Sequence, residues 1–288
     1  MNGKLAVVLL FLPPALLLFT VFVALPMGEA AWYSFYNWNG YGTPETFVGL
    51  KNYALLFENR AFRTALANNL AIIVVSLAIQ LPLALLAALL LFDRIRGAVT
   101  LRMIFFLPYV LAEIAAGLIW RFVYDGDYGL LANLAQTFGF AAPHLLADRD
   151  LAMYAVLVVI VWKYFGFHMM LYIAGLQQID PNLYEAAHID GATGRQMFWG
   201  VTLPLLTPTI RLSVFFAVLG SIQLFDLIMP LTKGGPSDST QTMVTYLYSY
   251  GVTRMKIGFG SAVGVVLFVL CAGFALTYNR VRTRHDTA

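Results

Sequence analysis

Apolar residues in this chain come in long blocks, not in the alternation of a strand or the stripe of an amphipathic helix. Six blocks stand out, over about 5–27, 70–92, 103–123, 151–174, 212–231 and 257–278. Each is about as long as a helix must be to cross a hydrocarbon core of about 30 Å, so each predicts a transmembrane helix. Lys4 precedes the first block, as in a secretory signal, but the block outruns the roughly 7–15 apolar residues of a signal core. It therefore predicts an uncleaved span with its N-terminus in the cytoplasm. The cluster Trp32-Tyr33-Ser34-Phe35-Tyr36-Asn37-Trp38 that follows suits a membrane–water boundary.

The short polar segments orient the spans. Arg94, Arg96 and Arg102 crowd the turn after the second block, and Arg280, Arg282 and Arg284 follow the sixth. Arginine-dense short loops mark the cytoplasmic side. The loop after the third block holds Asp125, Asp127, Asp148 and Asp150 against Arg149 alone, which suits the outside. Six spans with both termini cytoplasmic satisfy these constraints and leave about 175–211 as a cytoplasmic loop.

Composition agrees. Of 288 residues, 60% are hydrophobic and 11% charged, against about 25% charged in a soluble domain. The expected class is an all-α, multi-pass membrane protein forming one transmembrane domain over 1–288. The net charge of +3 is small and dispersed and points to no nucleic-acid partner. Cys271 is the single cysteine, which excludes an intrachain disulfide. No HExxH, no metal-spaced Cys or His pair, no nucleophile motif and no glycine-rich phosphate cradle is present, so neither catalysis nor a cofactor site is expected in this chain.

One polar stretch differs from the other loops. Asp180-Pro181 reads as a helix start, with Asp180 free to cap amides and Pro181 suited to the first helical position. Glu185-Ala186-Ala187 follows, with two nearly bare positions beside the acid, and then Asp190-Gly191-Ala192. Gly191 predicts a break between helices. Leu203-Pro204 comes at a fixed distance beyond. A helix–break–helix with a small-residue surface is suited to being gripped by another protein, although an ordinary connecting loop has the same grammar.

Polar groups inside spans are costly in lipid and usually face a cavity or a neighbour. The fifth block offers Ser221, Gln223 and Asp226, the fourth Lys163, Tyr164 and His168, with Phe165 and Gly166 beside them. Tyr164, Phe165, Ser221 and Gln223 combine hydroxyl-bonding groups with aromatic faces, the mixture a sugar requires. Lys163 either pairs with Glu113 or Asp226 or faces the path, and His168 reads as a packed, hydrogen-bonded residue or a ligand. A proton or ion relay through Lys163, His168 and Asp226, driving a secondary transporter that works alone, is the competing reading.

The chain resembles the carbohydrate-uptake permeases of binding-protein-dependent, ATP-driven (ABC) importers, the group that includes one membrane subunit of the maltose transporter. The resemblance rests on Glu185-Ala186-Ala187 with Asp190-Gly191-Ala192 and Leu203-Pro204, the family's "EAA" loop. Phe106-Leu107-Pro108, Trp120-Arg121, the stretch 162–167 and the stretch 232–236 support it. It implies the six-span type I importer permease fold in a bacterial or archaeal inner membrane. Glu185, Ala186, Ala187, Asp190, Gly191 and Pro204 would belong to a coupling helix seated in a cytoplasmic ATPase. The implied partners are a second permease, two copies of that ATPase with its ATP and Mg, membrane lipid, and an extracytoplasmic sugar-binding protein. That protein would dock on loops near 36–63, 125–150 and 234–256. Substrate-facing positions of the maltose relative fall in the fourth and fifth spans, which directs attention to Tyr164, Phe165, Gly166, Ser221, Gln223 and Asp226.

Overall fold

The computed structural model describes residues 3–92 and 96–286, with side chains from 7 to 280. Asp93, Arg94 and Ile95, and the side chains of Lys4, Arg282 and Arg284, lie outside the described part. Among the described residues there is no strand beyond an isolated Tyr36–Phe47 bridge. Five helices are long and apolar enough to cross a membrane: Val7–Tyr33, Arg60–Phe92, Ala152–Leu176, Gly194–Ile222 and Ile257–Arg280. Ala98–Val110 and Glu113–Val123 make a sixth span when taken together, bent by 98° at the break. The chain divides into two compact units, Met1–Arg63 with Tyr246–Phe274, and Thr64–Thr245 with Ala275–Ala288.

Three spans differ from the expectation, each for a physical reason. The second starts at Arg60 and not near 70, because Asn68 and Asn69 are buried helical residues and not loop. The Asn68 amide donates to the carbonyls of Ser239 and Gln241, both at 2.8 Å. The third breaks where Leu111 (ψ 139°) and Ala112 (ψ 138°) are extended. The fifth runs over Gly194–Ile222, not 212–231, so most of the expected loop beyond 193 is helix. Gln223 caps that helix, and Ile228–Leu231 is a separate short turn.

Proline explains how helices continue where the sequence suggests a stop. Pro26, Pro82 and Pro204 each lie two residues past a π-helical turn, at Thr20–Ala24, Ser76–Gln80 and Phe198–Thr202 respectively. A proline ring collides with the carbonyl four residues back. In all three cases that carbonyl falls inside the widened turn, which makes room for the ring.

The second unit has two apolar cores. One gathers Ile72, Ala116, Val156, Val159, Ile160 and Leu227, and the other gathers Ala84, Ala88, Met169, Tyr172, Ile173 and Leu206. Gly166 lets the fourth span touch the third: a Cβ there would strike the Phe105 carbonyl.

Candidate functional site

Against the first of these cores, at Ile72, Ile160 and Leu224, lies a cavity of about 690 Å³, within the roughly 300–1,000 Å³ of small-molecule sites. The second span contributes Ser76 and Gln80, the broken third Tyr109 and Glu113, the fourth Tyr164, Phe167 and His168, and the fifth Phe216 and Ser221. Gln223 and Asp226 come from the unwound segment after the fifth span.

The break in the third span shapes this cavity. The end of Ala98–Val110 leaves backbone carbonyls without helical partners. Lys163, 1% exposed, directs its Nζ at them, donating to Pro108 O at 2.9 Å, Tyr109 O at 3.2 Å and Leu111 O. It thus forms an ion pair with neither Glu113 nor Asp226 and does not line the cavity. Glu113 opens the second half of the span, where a carboxylate suits the positive end of a helix. Its Oε1 accepts a 2.7 Å hydrogen bond from the Tyr164 hydroxyl. Tyr109 stacks on Phe167 with centroids 4.8 Å apart, and Phe167 meets Phe216 edge-on at 6.0 Å.

The unwound segment is held from the second span. The Asn69 amide donates to Ser221 O at 2.6 Å, while its Oδ1 accepts from the Met243 N–H at 2.8 Å. Thr242 Oγ1 donates to Leu224 O at 2.8 Å. These bonds satisfy the backbone that the fifth helix abandons, and so expose Gln223 and Asp226 to the cavity.

The cavity therefore brings together Tyr164, Ser221, Gln223 and Asp226. Phe165 and Gly166 do not line it: Phe165 packs on Phe105 at 5.5 Å and Gly166 on the same residue's backbone. His168 is buried, with Nδ1 2.6 Å from Ser213 Oγ. The relay of Lys163, His168 and Asp226 is not assembled, since Lys163 is turned to carbonyls outside the cavity. Sequence reasoning passed over Ser76, Gln80, Tyr109, Phe167 and Phe216. Ser76 and Gln80 were findable by the intramembrane polarity that singled out Ser221 and Gln223.

The second candidate element is the loop helix Pro181–Ile189. Asp180 caps it, accepting from the Asn182 N–H at 3.0 Å, with Pro181 at the start. At the other end Asp190 is the C-cap and Gly191 takes φ +74°. The Gly191 N–H reaches His188 O at 3.1 Å and the Ala192 N–H reaches Ala187 O at 2.9 Å, a complete Schellman closure. Thr193 and Gln196 then cap each other in a capping box that starts the fifth span. Glu185 and Ala186 are exposed and Ala187 is half-buried. Ile189, 86% exposed, is an apolar side chain left bare. Tyr184 fixes the loop to the bundle, with its hydroxyl 3.1 Å from Thr202 Oγ1 and its ring on the second core. Pro204 lies in the fifth span, past the π turn.

The first unit carries a smaller recess of about 300 Å³, lined by Asn37, Trp38, Asn52, Tyr250, Arg254 and Lys256 among others. The Arg254 guanidinium sits 3.8 Å from the centroid of the Tyr250 ring.

Comparison with known proteins accounts for the architecture. Residues 80–285 match the family model described as "Binding-protein-dependent transport system inner membrane component". The chain is 34% identical over 271 residues to the probable ABC transporter permease protein YurN of Bacillus subtilis, covering 93% of this chain and 92% of that one. It is 32% identical over 278 residues to the trehalose/maltose transport system permease protein MalF of Thermococcus litoralis, covering 96% and 94%. A chain of a bacterial alginate ABC transporter, solved with an alginate pentasaccharide-bound periplasmic protein, shares the fold at a TM-score of 0.84. The two are 23% identical, with 96% of this chain and 94% of that one covered. The chain belongs to the inner-membrane components of binding-protein-dependent ABC importers and is a multi-pass permease subunit of the type I fold.

Proposed function

We propose that this subunit forms one side of a sugar pathway and that the loop helix Pro181–Ile189 receives the stroke of a cytoplasmic ATPase. The observation that carries the coupling role is the loop helix itself: capped at both ends by its own residues, yet presenting Glu185, Ala186 and bare Ile189 outward. An exposed apolar side chain beside a small-residue surface fits a groove on another protein. The Schellman closure and the capping box join the loop helix to the fifth span with little slack, so a push on the loop moves the helix that ends at Gln223 and Asp226.

The partners of this reading are a second permease, two ATPase copies that bind ATP and Mg, and an extracytoplasmic sugar-binding protein. Both termini and the loop then lie in the cytoplasm. A relative named for trehalose and maltose supports a sugar as substrate, as do the aromatic faces and hydroxyl-bonding groups of the cavity. The binding protein would meet loops 36–63, 125–150 and 234–256. Arg254 and Lys256 in the recess suit an acidic group on its surface.

Co-purification from native membranes in mild detergent tests the assembly. A second permease and a nucleotide-binding subunit are expected to remain bound, and a chain that purifies alone and still transports would sink the proposal. Tyr164→Ala or Gln223→Ala should weaken uptake with the complex intact; loss of the complex would reassign both residues to packing.

A further inference from the structure

The charged groups that line the cavity are all of one sign. Glu113 and Asp226 line it, and neither Lys nor Arg does. The ammonium of Lys163, held by the backbone carbonyls of Pro108, Tyr109 and Leu111, lies behind the wall, 5.9 and 6.0 Å from the Tyr109 and Tyr164 ring centroids, and one such charge offsets only one of the two carboxylates. The His168 Nδ1 is engaged by Ser213. Asp226 is exposed to the cavity and has no hydrogen-bond partner among the described residues. An intramembrane carboxylate without an internal partner points to something that passes it.

We infer that the cavity is a charge filter that admits uncharged and amino sugars and turns away uronates and sugar phosphates. This rests on the sugar pathway proposed above. An anionic sugar entering the cavity gives up hydration and finds amides and hydroxyls but no cation to replace it. It also meets two carboxylates where water screens poorly. An amine finds Asp226 and the free edge of the Glu113 carboxyl group. A neutral sugar finds Gln80, Gln223 and Tyr164 for its hydroxyls and the Tyr109–Phe167 stack for its C–H face. The geometry of Lys163 is central to the argument. Had its Nζ faced the cavity, as the sequence alone allows, an anionic sugar would meet the ammonium directly.

The test uses the complete transporter in lipid nanodiscs, without the binding protein, so that delivery does not select the sugar. Saturation-transfer difference NMR reads millimolar glucose, glucosamine and glucuronate in parallel. Glucose and glucosamine should receive saturation and glucuronate at least about tenfold less, since a like-charge contact that water screens poorly exceeds that scale. Glu113→Gln combined with Asp226→Asn should bring glucuronate close to glucose. Asp226→Asn alone leaves the Tyr164–Glu113 bond in place and should recover part of the difference. Glucuronate signals equal to glucose in the unsubstituted complex would overturn the filter, as would a ratio that neither variant moves. No transfer to any of the three sugars would remove the sugar pathway itself, and the filter with it.

Discussion

The loop helix and the cavity are held by opposite kinds of bond. Around Pro181–Ile189 the partners, Tyr184 with Thr202 aside, are neighbours in sequence: Asp180 with Asn182, Gly191 with His188, Ala192 with Ala187, and Thr193 with Gln196. Around the cavity they are remote: His168 reaches Ser213, 45 residues on, and Met243 reaches Asn69, 174 residues back. Locally closed structure keeps its shape when its surroundings move, whereas remote bonds exist only while the spans are assembled. The loop can therefore be pushed as a unit, and the cavity walls change their relations when it is. The mechanism proposed for this permease needs that division.

The comparison breaks most readily at Asn69. Asn69→Leu strands the Ser221 carbonyl and the Met243 N–H at about 1–3 kcal/mol each. It should produce the largest fall in melting temperature of the purified complex, together with loss of uptake. Unchanged melting would mean that the unwound segment supports itself. Lys163→Met should be next, because the carbonyls of Pro108, Tyr109 and Leu111 lose their donor. Its melting temperature should fall well below that of Glu113→Gln, in which the Tyr164 hydroxyl still finds an acceptor. Equal effects would restore the ion-pair reading of Lys163.

The same division explains what could be read from the residues. Asp180-Pro181 and Gly191 announce the loop helix because a cap is a relation between adjacent residues. The break at 111–112 is invisible in the block 103–123, since its main support, Lys163, arrives from another span. Asn68 and Asn69 look like loop residues by hydropathy, and only the fold shows their amides closing backbone near 221 and 239–243. The loop expected up to about 211 is helix from Gly194, because a π turn carries the helix past Pro204. Of the cavity residues, those beside the motifs were legible, and Ser76 and Gln80 were passed over.

Gly191 sharpens the comparison from the other side. A Cβ there meets nothing within 4 Å, so only the backbone at φ +74° opposes a substitution. Gly191→Val should cost about 1–2 kcal/mol locally and leave the melting temperature of the bundle nearly unchanged. Uptake should fall relative to ATP hydrolysis in proteoliposomes, while Gly191→Asn, which tolerates a left-handed backbone, should retain most coupling. Normal uptake by Gly191→Val at normal expression would show that the closure does not transmit force.

The smallest expected effect isolates the local bonds by themselves. Thr193→Ala removes the hydroxyl that accepts from the Gln196 N–H at 3.4 Å and half of the capping box, a loss of about 1 kcal/mol. The bond is long and solvent-exposed, so global stability should scarcely move. Amide hydrogen exchange should rise over the first turn of Gly194–Met197 and remain unchanged at Met243, whose N–H answers to Asn69. Faster exchange at both places would mean that the loop and the cavity open together. Self-contained closure of the loop would then be the wrong account of how it moves.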